Sequence, residues 1–165
     1  MEAIYRLRRV ESLTDWHAYH NIRRTELFAV QCPDVVYDSN HPDEREPSNL
    51  PHLLEVDGAI AGTIRIDLMG ARCAAFRLIA IRKAQQRQGH GTRLLALAEQ
   101  LVGELGCAQV TIQSAPDAVP FYLRNGYAKG SWFDIITPLR HTVTVGKMLA
   151  AASFGERGGS HQAIY

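Results

Sequence analysis

Residues 79 to 92 read IAIRKAQQRQGHGT and lead directly into the periodic apolar segment Arg93 to Leu105. An apolar strand is followed here by a turn with two glycines, Gly89 and Gly91, and then by a helix. Such a turn directs several backbone N–H groups toward one anion. The glycines suit this role because they have no Cβ to obstruct a ligand and because Gly adopts positive φ without penalty. The stretch therefore predicts a phosphate-binding turn.

Two other phosphate-binding patterns do not fit this turn. The third glycine of a dinucleotide fingerprint is absent because position 94 is Leu. The lysine of a P-loop is absent as well, because Thr92 and Arg93 follow Gly91. A lone pair of glycines is more often an ordinary strand-to-helix turn, so the interpretation depends on residues further along the chain.

The segment resembles the acyl-coenzyme A motif of the GCN5-related N-acetyltransferase (GNAT) family. In that motif, Gln or Arg, two further residues, Gly, one residue, and Gly or Ala follow a strand, and Gln86, Gly89 and Gly91 fit it. Residues 118–127, AVPFYLRNGY, resemble a second family motif, a helix ending in Tyr before a short spacer, Gly and an aromatic residue. Two ordered motifs are more specific than one, and together the matched segments span residues 76 to 133.

The resemblance implies a binding site for acetyl-CoA, the acyl donor, that is made largely of backbone. The expected cofactor-binding residues are Ile79, Ala80, Ile81, Gln86, Arg87, Gln88, Gly89, His90, Gly91 and Thr92. The strand would pair with the pantetheine amides, and N–H groups of the turn would hold the pyrophosphate. Gln86 and Arg87 would add side-chain contacts. Because the family leaves position 90 variable, we expect His90 to be a solvent-facing spacer.

Tyr122 is the catalytic residue that the resemblance implies. In the family, the tyrosine of the matching helix protonates the departing thiolate. An aromatic residue on such a helix is otherwise usually part of the core, a role that we assign to Phe121. The Asn that commonly precedes this helix is Ala115 here, which removes a polar contact to the cofactor.

The general base stays open at this point. Glu26, Glu55, Asp67 and a water molecule are the alternatives, and carboxylates in a sheet more often pair with neighbours such as Arg65 or Arg77. His17 and His20 could share a helix face as metal ligands, but no third ligand stands at a recognisable spacing. We predict no metal.

The rest of the sequence predicts alternating strands and helices. The expected elements are a strand 4–10, a helix capped by Ser12 or Thr14, a helical stretch 23–30, hairpin turns at 57–58 and 70–73, a helix 92–105, a strand 109–113, a short helix capped by Asp117, and closing strands 127–136 and 141–149. Between them, residues 31–51 carry four prolines and predict a long loop that borders the acceptor site. Its acidic residues Asp34, Asp38, Asp43, Glu44 and Glu46 could attract a cationic acceptor, but a solvated face is the expected role.

These elements and the resemblance predict an α/β protein with the acyl-CoA N-acyltransferase (GNAT) fold, a mixed and bent central sheet with helices on both faces. A chain of 165 residues suits one domain, which we place at residues 1–150, with a tail at 151–165. The implied activity is acetyl transfer from acetyl-CoA to a primary amine by direct attack. The alternative is a non-catalytic acyl-CoA sensor that regulates a partner.

Composition limits the partners. Lys plus Arg number 18 and Asp plus Glu number 17, so no long-range field favours nucleic acid or an anionic membrane. A small-molecule or protein amine is the expected acceptor, and a homodimer stays open. The three cysteines are scattered, and residues 1–6 show no charged region before an apolar stretch, which together favour the cytoplasm.

Overall fold

The structure is a computed structural model that describes residues 1–150. The predicted tail, 151–165, lies outside the described residues. The strands are β1 (Tyr5–Arg9), β2 (Asn49–Val56), β3 (Ala59–Gly70), β4 (Cys73–Ile81), β5 (Gln109–Ser114), β6 (Ala128–Lys129) and β7 (Val143–Met148). The helices are α1 (Leu13–Arg23), α2 (Ala29–Gln31), α3 (His90–Glu104) and α4 (Val119–Arg124).

The strands form one mixed sheet in the order β1-β2-β3-β4-β5-β7-β6. β4 and β5 are parallel, and the remaining neighbours are antiparallel. The turn at Asp57 and Gly58 joins β2 to β3 with φ of 50° and 83°, as the sequence predicts. A parallel pair needs a crossover connection, which α3 provides between β4 and β5.

Helices cover both faces of this sheet. Leu53 and Leu54 are consecutive in β2 and fully buried, so they point to opposite faces. Leu53 packs with Tyr19 of α1, whereas Leu54 belongs to the larger cluster that includes Leu94 of α3. The protein therefore has an apolar core on each side of the sheet.

The helix before the long loop is longer than the sequence pattern indicates. Ser12 caps α1, and Asp15 completes a capping box by accepting the Ser12 N–H. A π-helical turn, Arg24–Phe28, then joins α1 to α2 without a break. The two predicted helical stretches thus form one continuous run that ends at Gln31.

Three predicted elements differ from the structure. The strand expected at 127–136 is wrong beyond Lys129, because Trp132 packs over Gly146 of β7 and turns segment 130–142 away from the sheet. Asp117 does not cap α4, because it lies inside a 3₁₀ turn, Pro116–Ala118, that precedes the helix. The long loop ends earlier than predicted, since β2 begins at Asn49.

Candidate active site at the split between two strands

β4 and β5 separate after a short stretch of pairing. Their register covers only Cys73–Ala75 on β4, although both strands continue beyond it. β4 then contains a bulge, because Leu78 and Ile79 together stand opposite the single residue Ile64 of β3. Leu78 has φ of 53°, and bulges bend the strand that carries them. From Phe76 onward, one edge of β4 thus has no β5 partner and faces the gap between the two strands.

A cavity opens on each side of this bulge. The turn-side cavity, of about 810 Å³, lies between the end of β4, the glycine turn and α4. The loop-side cavity, of about 510 Å³, lies between α1, the loop 32–48, β3, β4 and segment 130–142. Leu78 lines the loop-side cavity and Ile79 lines the turn-side cavity. Along β4, the lining of one cavity therefore ends where the lining of the other begins.

The glycine turn presents the N-terminus of α3 to the turn-side cavity. Gly89 is the N-cap with φ of 84°, and no side chain caps the helix, so its first N–H groups face a ligand rather than a capping oxygen. A Cβ on Gly91 would lie 3.1 Å from Cζ of Phe121. Gln86 fixes the start of the turn by donating from Nε2 to the Ile81 carbonyl oxygen over 2.9 Å.

Nine of the ten predicted cofactor-binding residues line this cavity. They are Ile79, Ala80, Ile81, Gln86, Arg87, Gly89, His90, Gly91 and Thr92. Gln88 is not on the cavity wall and instead donates from its side chain to the Ala84 carbonyl oxygen over 3.3 Å. Arg124 and Asn125, at the end of α4, also line the cavity and were not predicted. Their signal in the sequence was weak, because they stand in the spacer of the second motif.

The prediction that His90 is a solvent-facing spacer is wrong. His90 is only 7% exposed, and its Nδ1 is hydrogen-bonded to the Tyr5 hydroxyl over 2.9 Å. The reason is the position of His90 as the first residue of α3, which packs against β1. His90 thus joins the glycine turn to the edge strand of the sheet.

Tyr122 lies on the wall of the turn-side cavity and is 8% exposed. Its ring packs edge-on against Phe121 and Tyr127, with centroid distances of 5.1 and 5.8 Å. Burial raises the pKa of Tyr122 to about 12. The hydroxyl therefore keeps its proton at neutral pH, which is the state that a proton donor requires.

Three buried or half-buried arginines line the loop-side cavity, and each is paired with a carboxylate. Arg23 donates to Glu44. Arg65 forms a bidentate pair with Asp67, with N···O distances of 2.7 and 2.9 Å. Arg77 does the same with Asp134, with N···O distances of 2.8 and 2.6 Å.

Asp134 holds segment 130–142 against the sheet. Burial would raise its pKa, but hydrogen bonds from Arg77, from the Ile136 N–H and from Gln113 outweigh it and lower the pKa below its ordinary value. The carboxylate is therefore charged at neutral pH. Neither Asp134 nor Arg77 has a local sequence signal as a partner, because they are 57 residues apart.

None of the three candidate carboxylate bases lies on the described wall of either cavity. Glu55 pairs with Arg8 on β1. Asp67 is buried between Arg65 and Arg77, as the expectation of paired sheet carboxylates predicts. Three acidic residues of the long loop do line the loop-side cavity, namely Asp38, Asp43 and Glu44. Glu44 is buried, so a solvated face does not describe it.

No group of three or more His, Cys, Asp or Glu among residues 1–150 is arranged to hold a metal ion. No helix in the same range is long and apolar enough to cross a membrane.

Comparison with known proteins identifies the class to which this fold and site belong. The model of the acetyltransferase (GNAT) family matches residues 13–127, well over half of the chain. The protein belongs to the GNAT family. A search of curated proteins found no match.

Solved structures of the same family have the same fold. An acetyltransferase of the GNAT family from Staphylococcus aureus superposes with a TM-score of 0.71 at 13% identity, over 89% of this chain and 100% of that one. The ribosomal-protein-S18-alanine N-acetyltransferase from Escherichia coli superposes with a TM-score of 0.69 at 17% identity, over 95% of this chain and 100% of that one. The spermidine N-acetyltransferase from Vibrio cholerae, solved with CoA and spermine, superposes with a TM-score of 0.68 at 17% identity, over 89% of this chain and 96% of that one. These likenesses confirm the predicted GNAT fold.

Proposed function

We propose that the protein transfers an acetyl group from acetyl-CoA to a primary amine by direct attack. The observation that carries this proposal is the pair of cavities on the two sides of the β4 bulge. One has a helix N-terminus with free N–H groups, suited to a pyrophosphate, and the other is lined by the long loop. A thioester at the bulge would be reachable from both sides.

The donor would bind mainly through backbone. The free edge of β4 at Ile79–Ile81 offers N–H and C=O groups to the pantetheine amides, as a neighbouring strand would. The turn from Arg87 to Thr92 offers N–H groups to the pyrophosphate, and Arg87 and Arg124 add positive charge at the same cavity. Ala115 has no polar side chain to offer the cofactor. The described wall of the turn-side cavity does include the polar side chain of Asn125.

In the reaction, the neutral amine nitrogen attacks the thioester carbonyl carbon and forms the C–N bond. The C–S bond breaks, the Tyr122 hydroxyl gives its proton to the leaving sulfur, and the proton lost by the amine passes through water to the Tyr122 phenolate, which restores the hydroxyl. The products are the acetylated amine and coenzyme A. A backbone N–H at the β4 bulge would polarise the carbonyl, and positioning of the two substrates would supply much of the acceleration.

A free-thiol assay with acetyl-CoA and a panel of primary amines tests the proposal. Amine-dependent thiol release, with the acetylated amine identified by mass spectrometry, is the expected result. Coenzyme A binding without turnover of any amine would instead favour the non-catalytic sensor. Absence of both binding and turnover would refute the donor site as well as the reaction.

A further inference from the structure

The loop-side cavity has a composition that indicates which amines it accepts. The inference rests on the proposed function, because it takes this cavity as the place where the acceptor binds. Its volume of about 510 Å³ falls in the range of small-molecule pockets.

Every arginine on the wall of this cavity already has a carboxylate partner. Three arginines line the cavity, Arg23, Arg65 and Arg77, and so do three carboxylates, Asp38, Asp43 and Glu44. Arg23 pairs with Glu44, Arg65 pairs with Asp67, and Arg77 pairs with Asp134. His41 at the rim lies 3.6 Å from Asp43, measured from Nδ1 to Oδ1. A ligand carboxylate would therefore meet arginines that are already paired, whereas an ammonium group would meet the carboxylates of Asp38 and Asp43.

Glu44 supplies the second observation. Among residues 1–150, its Oε2 has no hydrogen-bond partner, although the residue lines the cavity and is more than nine-tenths buried. A buried carboxylate oxygen without a donor is costly, so a ligand N–H that reaches it is favoured. The Nε of Arg23 also lacks a partner in this range. A ligand carboxylate could use that one N–H, but it would then lie beside Glu44, which is paired with the same arginine and carries the same charge as the ligand.

Apart from Gln113, the rest of the wall is mostly apolar and partly open to solvent. Phe28, Phe76 and Tyr37 form the interior, and four exposed aliphatic residues surround the mouth, namely Val35, Val36, Ile136 and Leu139. Val36 is 91% exposed and Leu139 is 65% exposed. Exposed apolar residues grouped at a cavity mouth are typical of a ligand-binding site.

We propose that the acceptor is a small amine with an apolar body and no carboxylate. Its ammonium group would lie toward Glu44 and Asp43 before it loses its proton, and its body would pack between the aliphatic residues of the mouth. A free amino acid is disfavoured because its carboxylate would meet arginines that already have partners. A polyamine is disfavoured because its further charges would lie against apolar walls.

The test compares amines that differ in one group. 2-Phenylethylamine, phenylalanine and phenylalaninamide share the ring and the amine, and the amide replaces the carboxylate by a neutral group of similar size. Spermidine represents amines without an apolar body, and a tripeptide amide that begins with Phe represents protein acceptors. Calorimetry with the coenzyme A-loaded protein and turnover with acetyl-CoA are measured for each amine.

We expect 2-phenylethylamine and phenylalaninamide to bind about tenfold or more tightly than phenylalanine, because a like charge in the cavity is repelled. Asp43→Asn should weaken the binding of 2-phenylethylamine by about two- to fivefold, since Asp43 is half exposed and its field is partly screened. Glu104→Gln, which removes one exposed carboxylate at the far end of α3, is the matched control and should change nothing.

Preference for phenylalanine, for spermidine or for the tripeptide amide would overturn the inference, and so would failure of every amine to bind. Coenzyme A titration of the same protein keeps the two proposals apart. If coenzyme A binds and the amine order is reversed, only the acceptor class is wrong. If coenzyme A does not bind, the proposed function is wrong, and amine titration of the free protein still decides the inference.

Discussion

The two cavities beside the β4 bulge are built in different ways. The turn-side cavity is made mostly from two continuous stretches, residues 79–92 and 118–125, and much of what it offers a ligand is backbone. The loop-side cavity is made from side chains of well-separated segments, from Arg23 to Leu139. Two of its arginines, Arg23 and Arg77, are held by carboxylates 21 and 57 residues away in sequence, whereas Arg65 pairs with Asp67 on its own strand.

Under the proposed function, this difference would let one fold bind a constant donor and a variable acceptor. Backbone groups keep their positions when side chains change, so a backbone site suits a donor that stays constant. A site made of side chains on a loop and an irregular segment can change residue by residue without disturbing the sheet. Substitutions on the two sides should therefore affect different kinetic constants.

The largest effect should come from Tyr122→Phe, which tests whether the turn-side cavity also performs chemistry. The ring and its packing stay, and only the hydroxyl is lost. We expect turnover to fall by roughly 10² to 10⁴, the usual contribution of general acid catalysis, with coenzyme A affinity nearly unchanged. Because burial raises the pKa of Tyr122 to about 12, its ionisation should not shape the rate profile between pH 6 and pH 9. Wild-type turnover in this variant would return Tyr122 to a packing role.

Gly91→Val should distinguish most clearly between effects on the turn-side cavity and effects on the loop-side cavity. The new side chain would press against Phe121, whose Cζ lies 3.1 Å from the ideal Cβ position, and would push into the space of the ligand. We expect coenzyme A to bind about 10- to 100-fold more weakly, as if one charge-assisted hydrogen bond were lost. Gly103→Val lies in the same helix with open space around its Cβ, so it controls for helix propensity. Unchanged calorimetric affinity in a folded Gly91→Val protein would refute the phosphate-binding turn.

Asp134→Asn should act on the acceptor side alone. Arg77 would lose its charged partner and segment 130–142 would loosen, so we expect the acceptor KM to rise about tenfold while coenzyme A affinity stays the same. The unfolding free energy should also fall by about 1–3 kcal/mol at neutral pH. The exposed Asp117→Asn is the control.

The pH dependence of this loss follows from the lowered pKa of Asp134. A lowered folded-state pKa stabilises the protein at pH values above the unfolded pKa of about 3.9, and the contribution disappears as pH falls toward the folded value. Urea unfolding at several pH values should show the two proteins converging below about pH 4. A constant difference down to pH 3 would contradict the assignment.

The smallest effect should come from the cavity mouth. Replacing Val35 and Val36 by Ser removes apolar surface but no charge, and both residues are exposed. We expect KM for an apolar amine to rise about two- to fivefold, since about one methylene of contact is lost at each position. The same double variant should leave KM for a short polar amine unchanged. Equal effects on both amines would mean that the loop acts only as a connector.

The sequence alone predicts the donor side better than the acceptor side, for a physical reason. A turn that binds an anion needs closely spaced glycines such as Gly89 and Gly91, so its signal in the sequence is local. The Asp57 and Gly58 turn is local too, and it lies where the pattern places it. The predicted roles of the cofactor-binding residues and of Tyr122 stay predictions, although all but Gln88 line the turn-side cavity.

The acceptor side could not be predicted because its contacts are not local. Nothing near Arg77 in sequence indicates Asp134, and nothing near Arg23 indicates Glu44. His90 was misjudged for the same reason, since its partner Tyr5 is 85 residues away. The sequence pattern predicts a strand at 127–136, whereas the packing of Trp132 over Gly146 decides the path of the chain beyond Lys129.

That packing also makes Gly146 a distant control point for acceptor choice. Any side chain at position 146 would occupy the place of the Trp132 ring. Trp132 comes shortly before Ile136 and Leu139, which line the loop-side cavity, and before Asp134, which pairs with Arg77 on its wall. Displacing the ring would therefore move these three residues as well. Exchanging residues 134–142 for another sequence while keeping Trp132 and Gly146 would therefore be a way to graft a new acceptor preference onto this sheet. Under the proposed function, Gly146 lines neither cavity and would still control where the acceptor binds.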